Sequence, residues 1–492
     1  MLRGLGLVYF FSFWSLAAQA PALFGPRGLS PMGQTLSGVR GQVGSFPYVA
    51  LPTWFWISDS YAMLMGVMGI GALAGLLMLF GRAPWWMNLL AWSAQVSLLH
   101  VSGPWMQHQG DALLAEVGFV ALFLASPRWP RMPDPADMSR RMVGIWMCNL
   151  LLFKVMFSSG WIKLTGGDPF WLRETALNVF FETQPLPAAT AWFFHLLPGG
   201  VLTQALWAVM FIELALPFYV FFPRVFRSMA AAGFAGLMLL VYLTGNHGGM
   251  PWLVILLALT LVDDRTWREI LPEGRGPAVS DTPLVERRPS PTALTWLALW
   301  GPLCVGFVWS AHPEAYPPPW RQTARVMDAA GSMHRYGMFG RVRPQRFEIE
   351  IQGSMDGQHW REYLFKSKPG HPQRLPRLPA PHFPRLDWMF YEVAGGVGDP
   401  LSAQRHPWLG RLAEGLLANN PQTVSLLEVN PFPDHPPVYL RLVTYEVRYA
   451  DPVTRRERGV WWVRTVRGLY MPVVRRVAPP GLPSAPGGDE NR

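Results

Sequence analysis

Apolar residues run in long blocks through the first 310 positions and then give way to short alternating runs. The blocks lie at 5–22, 59–80, 85–102, 112–127, 142–162, 201–222, 229–246, 251–262 and 293–310. A straight membrane crossing takes roughly 20 apolar residues. The longer blocks therefore predict membrane helices, and 251–262 reads as short enough to be re-entrant. The pattern as a whole predicts a polytopic α-helical membrane domain of about nine spans. Within the first block, Ala18-Gln19-Ala20 has the form of a signal-peptidase site, but Pro21 directly follows it. An uncleaved helix is expected there.

Between the blocks at 142–162 and 201–222 lies an unusual stretch, Gly160–Pro198, crowded with polar, aromatic and proline residues. A loop of that length inside a compact domain is either functional or disordered. Its Trp, Phe and Leu content is too high for a solvated coil, so a folded cap over 160–200 is expected. Residues 263–292 read as a polar linker loop. From Pro313 the period changes to two: Arg346–Gly353 and Trp360–Lys366 alternate around Ser354-Met-Asp356-Gly357, which predicts a hairpin. Val438–Tyr449 and Val460–Tyr470 predict a second hairpin, and Pro407–Val429 has helical spacing. The expectation for 313–476 is an antiparallel β-sandwich with a helical insertion, followed by a disordered Pro/Gly-rich tail at 477–492.

Composition changes this picture only in detail. Half of the 492 residues are hydrophobic and 15% are charged, against about 25% charged in soluble domains. The net charge of +10 comes with no basic run interleaved with aromatics, so nucleic acid is not an expected partner. The arginines sort by loop instead. Arg3, Arg82, Arg128, Arg131, Arg140, Arg141, Arg224, Arg227 and the arginines from Arg265 to Arg288 fall on one face. By the positive-inside rule this puts the N-terminus in the cytoplasm, with the cap and the C-terminal domain on the opposite side. The two cysteines, Cys148 and Cys304, lie in apolar blocks. They exclude a disulfide framework, and no metal or cofactor motif is present.

The candidate chemistry lies in polar residues that the blocks do not explain. Lys154 falls mid-span, where a lysine costs a few kcal/mol and needs a partner; Glu213 and Glu116 are the candidates. Their meeting would make either a charged cavity or an ion pair fixing helix register. Asp111, Lys163, Asp168, Glu182 and His195 fall near the outer surface, and Asn246 and His247 end a span on the same face. As a set they could line one outward-facing pocket. Gln184-Pro-Leu-Pro187 is a stiff element of the cap, and Asp263-Asp264 closes a span. In the C-terminal domain, Ala380–Trp388 carries Arg385 and Asp387 and reads as a recognition loop or as a connection between the domains.

Several of these motifs together resemble the lipase maturation factor family. They are Gln109–Phe119, Lys163–Asp168, Phe181–Pro187, Trp192, His195, Leu243–Asn246 and Asp263-Asp264, then Tyr336–Phe339, Glu348–Ser354, Asp356-Gly357, Trp360, Lys368–Gly370, Pro381-His382, Pro384–Trp388, Asn430–Pro433 and Trp461-Trp462. The resemblance implies a membrane-embedded, chaperone-like maturation factor whose partners are secreted clients, lipases above all, and membrane lipids. Eukaryotic members act at the endoplasmic reticulum membrane. The Arg- and Pro-rich chain without sequons points to a bacterial member, at an inner membrane with its C-terminal domain periplasmic. A shorter similarity, Gly160–Leu164 with Trp171 and Thr175-Ala-Leu177, is to vitamin-K-dependent carboxylase-like proteins. It implies the alternative of a membrane enzyme that modifies exported polypeptides or lipids, with Lys154, Lys163 and neighbouring carboxylates forming its cavity. A third alternative is a plain lipid- or polypeptide-binding scaffold.

Overall fold

Two of the apolar blocks open on residues suited to a helix start. Ser60 accepts the Met63 N–H at 3.2 Å at the start of Tyr61–Leu79. Pro84 opens Pro84–Val101, where its missing N–H costs nothing. The computed structural model describes residues 1–43, 48, 51–127, 135–270, 291–306, 316–378, 380–399 and 401–476. The arginines at 128 and 131, most of the expected linker loop, the end of the 293–310 block and the 477–492 tail lie outside the described residues.

Among the described residues, four helices are long and apolar enough to cross a membrane: Tyr61–Leu79, Arg140–Thr165, Gly199–Tyr219 and Arg224–Thr244. Leu2–Ala17 and Met250–Leu261 are shorter apolar helices. The blocks expected to span at 85–102, 112–127 and 293–310 form the helices Pro84–Val101, Gln109–Ala121 and Pro291–Gly306, which are not among those four. The helices pack through small residues. A Cβ on Gly6 would come within 2.5 Å of the Gly75 carbonyl, and one on Gly71 within 2.5 Å of the Phe13 ring. Leu2–Ala17 and Tyr61–Leu79 therefore approach backbone to backbone, as membrane helices do without a hydrophobic drive between them.

The Gly160–Pro198 stretch is folded, holding short helices at Pro169–Leu172, Ala176–Thr183 and Ala189–His195. Its apolar side forms a separate core. Trp171, Phe181 and Trp192 pack with Leu202 and Leu206 below and with Val447, Tyr449 and Trp462 of the C-terminal domain.

The C-terminal domain is one four-stranded antiparallel sheet, where a two-sheet sandwich was expected. The strands are β1 Arg346–Ser354, β2 Trp360–Tyr363, β3 Tyr439–Tyr449 and β4 Trp462–Arg475, in the order β2-β1-β3-β4. Both expected hairpins form, the second with a short helix, Pro452–Arg458, at its tip. The difference from a sandwich is what covers the inner face. Helix Arg385–Ala394 lies against β1, and Trp408–Leu417, from the expected helical insertion, lies against β3. Ile349 and Ile351 bury their side chains in that layer. The alternation that predicts one buried face is satisfied equally by helices or by a second sheet.

Trp462 joins cap to sheet: it is fully buried and stacks on Tyr449 at 4.3 Å. Trp462→Ala is expected to cost about 3–5 kcal/mol. It should lower the thermal midpoint in detergent and expose the 169–195 helices to protease first; an unchanged digestion pattern would refute the cap–sheet tie.

Candidate functional site

The segment between the Pro318–Ala329 helix and β1 crosses the ends of the long helices, and buried charge holds it there. Glu116, on Gln109–Ala121, is fully buried. Its carboxylate accepts from Lys154 Nζ at 2.7 Å, from the Tyr336 hydroxyl at 2.9 Å and from the His334 N–H. Of the two partners expected for Lys154, the structure gives Glu116. Glu213 meets Lys163 instead, at 2.6 Å. Lys163 Nζ also donates to the Met338 carbonyl at 2.7 Å and stands 5.1 Å from the Trp171 ring. The Gly337 N–H reaches Gln109 Oε1 at 3.1 Å. Asp168 caps Pro169–Leu172 with one oxygen and accepts the Val342 N–H at 2.9 Å with the other. Glu116, Lys163, Gln109 and Asp168 each hold a backbone or side-chain group of the crossing segment, which satisfies polar groups that would be costly to bury alone.

A second tie joins the 380–388 segment to the first helices. Arg385 donates both terminal nitrogens to Asp111, each at 2.7 Å, and one of them also to the Trp105 carbonyl at 2.6 Å. Asp387 accepts the Ser367 and Lys368 N–H groups at 2.6 and 2.9 Å. Asn246 donates to the His382 carbonyl at 2.9 Å and accepts the Gly248 N–H. A third tie holds the cap: Arg346 donates to the carbonyls of Glu182, Gln184 and Pro185 and pairs with Glu348. Glu182 accepts the Tyr449 N–H at 2.8 Å and lies 3.7 Å from His195.

Between these ties is a cavity of about 720 Å³, roofed by residues 337–343 and 383–392 and floored by the tops of the long helices. Of the sequence candidates, Gln184, His247 and Arg385 line it. Asp111, Asn246 and Arg385 line an adjoining cavity of about 360 Å³. Lys154, Glu116, Lys163, Glu213, Asp168, Glu182, His195 and Asp387 are not among the residues lining either cavity. Lys154 and Glu116 do meet, but they are sealed into packing rather than facing a cavity, as the catalytic alternative requires.

The residue that sequence reasoning passes over is His108, which lines both cavities. Its only sequence signal is its place directly before a helix start, where Nδ1 accepts the Gly110 N–H at 3.0 Å. That leaves the ring proton on Nε2. Phe383 and Trp388 pack around the ring at 4.9 and 4.5 Å. His247 Nε2 faces Gln184 Oε1 at 3.2 Å, and the Gln184 amide donates to the Thr244 and Phe181 carbonyls, which orients the amide oxygen as the acceptor. Burial pushes the His108 imidazole down to about 4 and His247 to about 3, with the proximity of His108 adding to the latter. Both rings are neutral near pH 7, so the cavity offers them as hydrogen-bonding groups rather than as cations.

The family model described as the lipase maturation factor transmembrane domain matches residues 1–269, and that of the C-terminal domain matches 332–472. The chain belongs to the lipase maturation factor family. It is 28% identical to lipase maturation factor 1 of Mus musculus, over 96% of this chain and 86% of the relative. It is 29% identical to lipase maturation factor 1 of Homo sapiens, over the same shares. It is 28% identical to lipase maturation factor 2 of Rattus norvegicus, over 96% and 82%. No solved structure matches the chain. Membership makes this an integral membrane protein and joins the sheet and the helices into one family architecture. The crossing segment and both its buried carboxylate partners, Glu116 and Asp168, fall within the two matched regions.

The Lys154–Glu116 pair yields a sharp test. Lys154→Met leaves a buried carboxylate without its cation, and Glu116→Gln leaves a buried ammonium without its anion; each is expected to cost about 3–5 kcal/mol. The double variant buries no net charge and keeps an oxygen for Tyr336 and His334. Its thermal midpoint in detergent should lie closer to wild type than either single; additive losses would refute the pairing.

The histidines predict a pH dependence. Their folded-state pKa values lie below the ordinary 6.5 or so. Above that pH, the native preference for neutral rings costs nothing. As pH falls toward 4, the unfolded chain takes up protons that the folded one refuses, so stability falls. His108→Asn keeps the acceptor for Gly110 and should flatten the fall between pH 6.5 and 4; an identical slope would remove His108 from the account.

Proposed function

We propose that this chain is a maturation factor for secreted lipases, holding a partly folded client at the exposed edge of its C-terminal sheet on the extracytoplasmic side of a bacterial inner membrane. The relatives' names supply the client class, and the sorting of arginines by loop supports the side. The observation that carries the mode of action is β4. It lies at the edge of the sheet, 14 residues long, and pairs only with β3 among the described residues. Val463, Val466, Leu469 and Val473 along it are 44%, 62%, 54% and 46% exposed. A long edge strand is a liability that proteins blunt with charge, proline or cover; Arg464, Arg467, Pro472 and Arg475 blunt β4 in part, and the apolar residues between them stay exposed. Here it offers unpaired backbone groups and apolar side chains to an extended client segment, the strand-addition mode of peptide recognition. Such a grip is transient and sequence-tolerant, because main-chain hydrogen bonds supply the affinity.

The ties at Glu116, Lys163 and Arg385 give this edge a fixed height above the helices. A client emerging across the membrane then meets the strand before its own strands have paired. The three buried ion pairs act as positioning groups in this reading and take no part in chemistry.

The test is a strain lacking the gene, complemented with wild type or with Val466→Lys/Leu469→Lys, in which exported lipase activity is measured per mass of exported enzyme. The charged edge is expected to lower client specific activity about tenfold, the effect of losing ~1.4 kcal/mol of client affinity. The variant's own abundance and thermal midpoint should be unchanged. Full complementation by the charged edge would rule out strand addition, and a fixed mass increment missing from a client would favour the enzymatic alternative.

A further inference from the structure

The smaller cavity is a slot between helices, and its walls have the spacing of two facing helix stripes. Gly4, Val8, Phe11 and Ser15 on Leu2–Ala17 line one side, and Gly249, Leu253 and Leu256 the other. From Gly4 to Ser15 the stripe runs about 16 Å. The two ends differ. At the Gly4 end the helices close, and a Cβ on Gly4 would come within 2.4 Å of Leu256 Cδ2. At the Ser15 end the slot reaches Asp111, Asn246 and His108 and meets the large cavity, with His108, Phe383 and Arg385 lining both. Leu7 and Trp252 at its rim are 39% and 41% exposed, on two short apolar helices. The slot is thus blind at one end, polar at the other and open sideways.

The polar end has donors left over. The two terminal nitrogens of Arg385 are taken by Asp111 and Trp105, while its Nε is buried without a partner. His108 Nε2–H has no hydrogen-bond partner among the described residues, its Nδ1 being committed to Gly110. The Arg385–Asp111 pair is already neutral as a unit, so the missing group is an acceptor rather than a formal anion. A buried donor without an acceptor costs about 1–3 kcal/mol, and an uncharged carbonyl oxygen removes that cost. A hydrocarbon chain that ends in a carbonyl is the chemistry of an acyl ester. A cavity of about 360 Å³ is within the usual range of roughly 300–1,000 Å³ for ligand sites.

We propose that the slot binds one acyl chain of a glycerolipid, which enters sideways between Leu7 and Trp252. Its ester carbonyl lies at His108 and the rest of its head group enters the larger cavity. The site stands apart from the client edge at β4, so either can fail without the other.

The experiment uses the full chain in phosphatidylcholine vesicles containing a phosphatidylcholine whose acyl chain carries a diazirine. Parallel arms use a diacylglycerol with the same chain and the ether-linked analogue of the phosphatidylcholine. After irradiation, cross-links are mapped by peptide mass spectrometry. Labelling is expected at residues 4–15 and 248–256 in preference to the lipid-exposed Tyr61–Leu79 helix. Val8→Trp fills the slot and should lower this labelling about tenfold; Ser12→Leu, a milder filling that keeps the helix, should lower it in the same sense. The ether analogue should label about fivefold less than the ester, the loss of one hydrogen bond of ~1 kcal/mol, and His108→Asn should abolish that preference. Stronger labelling by the phospholipid or by the diacylglycerol tells which glycerolipid is held, and either supports the site. Even labelling of all lipid-exposed helices, or labelling unchanged in both filled variants, overturns it. Equal labelling by ester and ether overturns the place assigned to the carbonyl.

Discussion

Desolvated charge is the constraint on which the rest of this structure depends. Glu116 is buried among apolar helices, where an ionised carboxylate is tolerable only when all its hydrogen-bonding positions are filled. It fills them from two directions: Lys154 on a neighbouring helix, and Tyr336 and the His334 N–H on the segment leading to the sheet. One carboxylate therefore fixes both how two helices register and where the C-terminal domain sits above them. Lys163 repeats the device with opposite sign, joining Glu213 on another helix to the Met338 carbonyl. Arg385 and Asp111 repeat it on the other side of the molecule. Sliding the sheet domain by a residue would orphan all three at once.

These ties make the cavities. A roof held at three charged points cannot settle onto the floor, and the space between remains open as a chamber of about 720 Å³ with an apolar side branch. The chamber takes its character from what is not used in the ties. The Lys154–Glu116 and Lys163–Glu213 charges are sealed in packing, and the lining combines imidazoles, amides and aromatic rings with Arg341, Arg343, Arg385, Arg405 and Glu392. The sheet's inner face is satisfied by the Arg385–Ala394 and Trp408–Leu417 helices, and β4 pairs with no further strand among the described residues, touching Pro372 and Ser402 through Trp462 and Tyr470.

Much of the fold is legible because hydrophobic period is a local property. The apolar blocks, both hairpins and the helical 407–429 stretch follow from spacing within a dozen residues. The single sheet was not legible as such, because an alternating strand states that one face is buried without stating by what. The site divides along the same line. Lys154 is conspicuous because a mid-span lysine demands a partner, and both Glu116 and Glu213 were visible as acceptors. Which one it takes depends on helix packing: Glu213 lies opposite Lys163, one face around. His108 carries no local anomaly, since a histidine before a helix start is ordinary, and its importance arises only when Phe383 and Trp388, some 275 positions away, close over it.

What the sequence determined by itself is the inventory and its segregation: apolar helices first, an alternating domain after them, and a few charges whose burial obliges them to find partners. Those follow from the free energy of moving each residue type out of water, which is fixed residue by residue. Only the tertiary structure decided the pairing of those charges, the closure of two cavities between the layers and the exposure of β4. Each of these is a relation between segments tens to hundreds of residues apart, set by which of several locally equivalent packings leaves no buried charge alone.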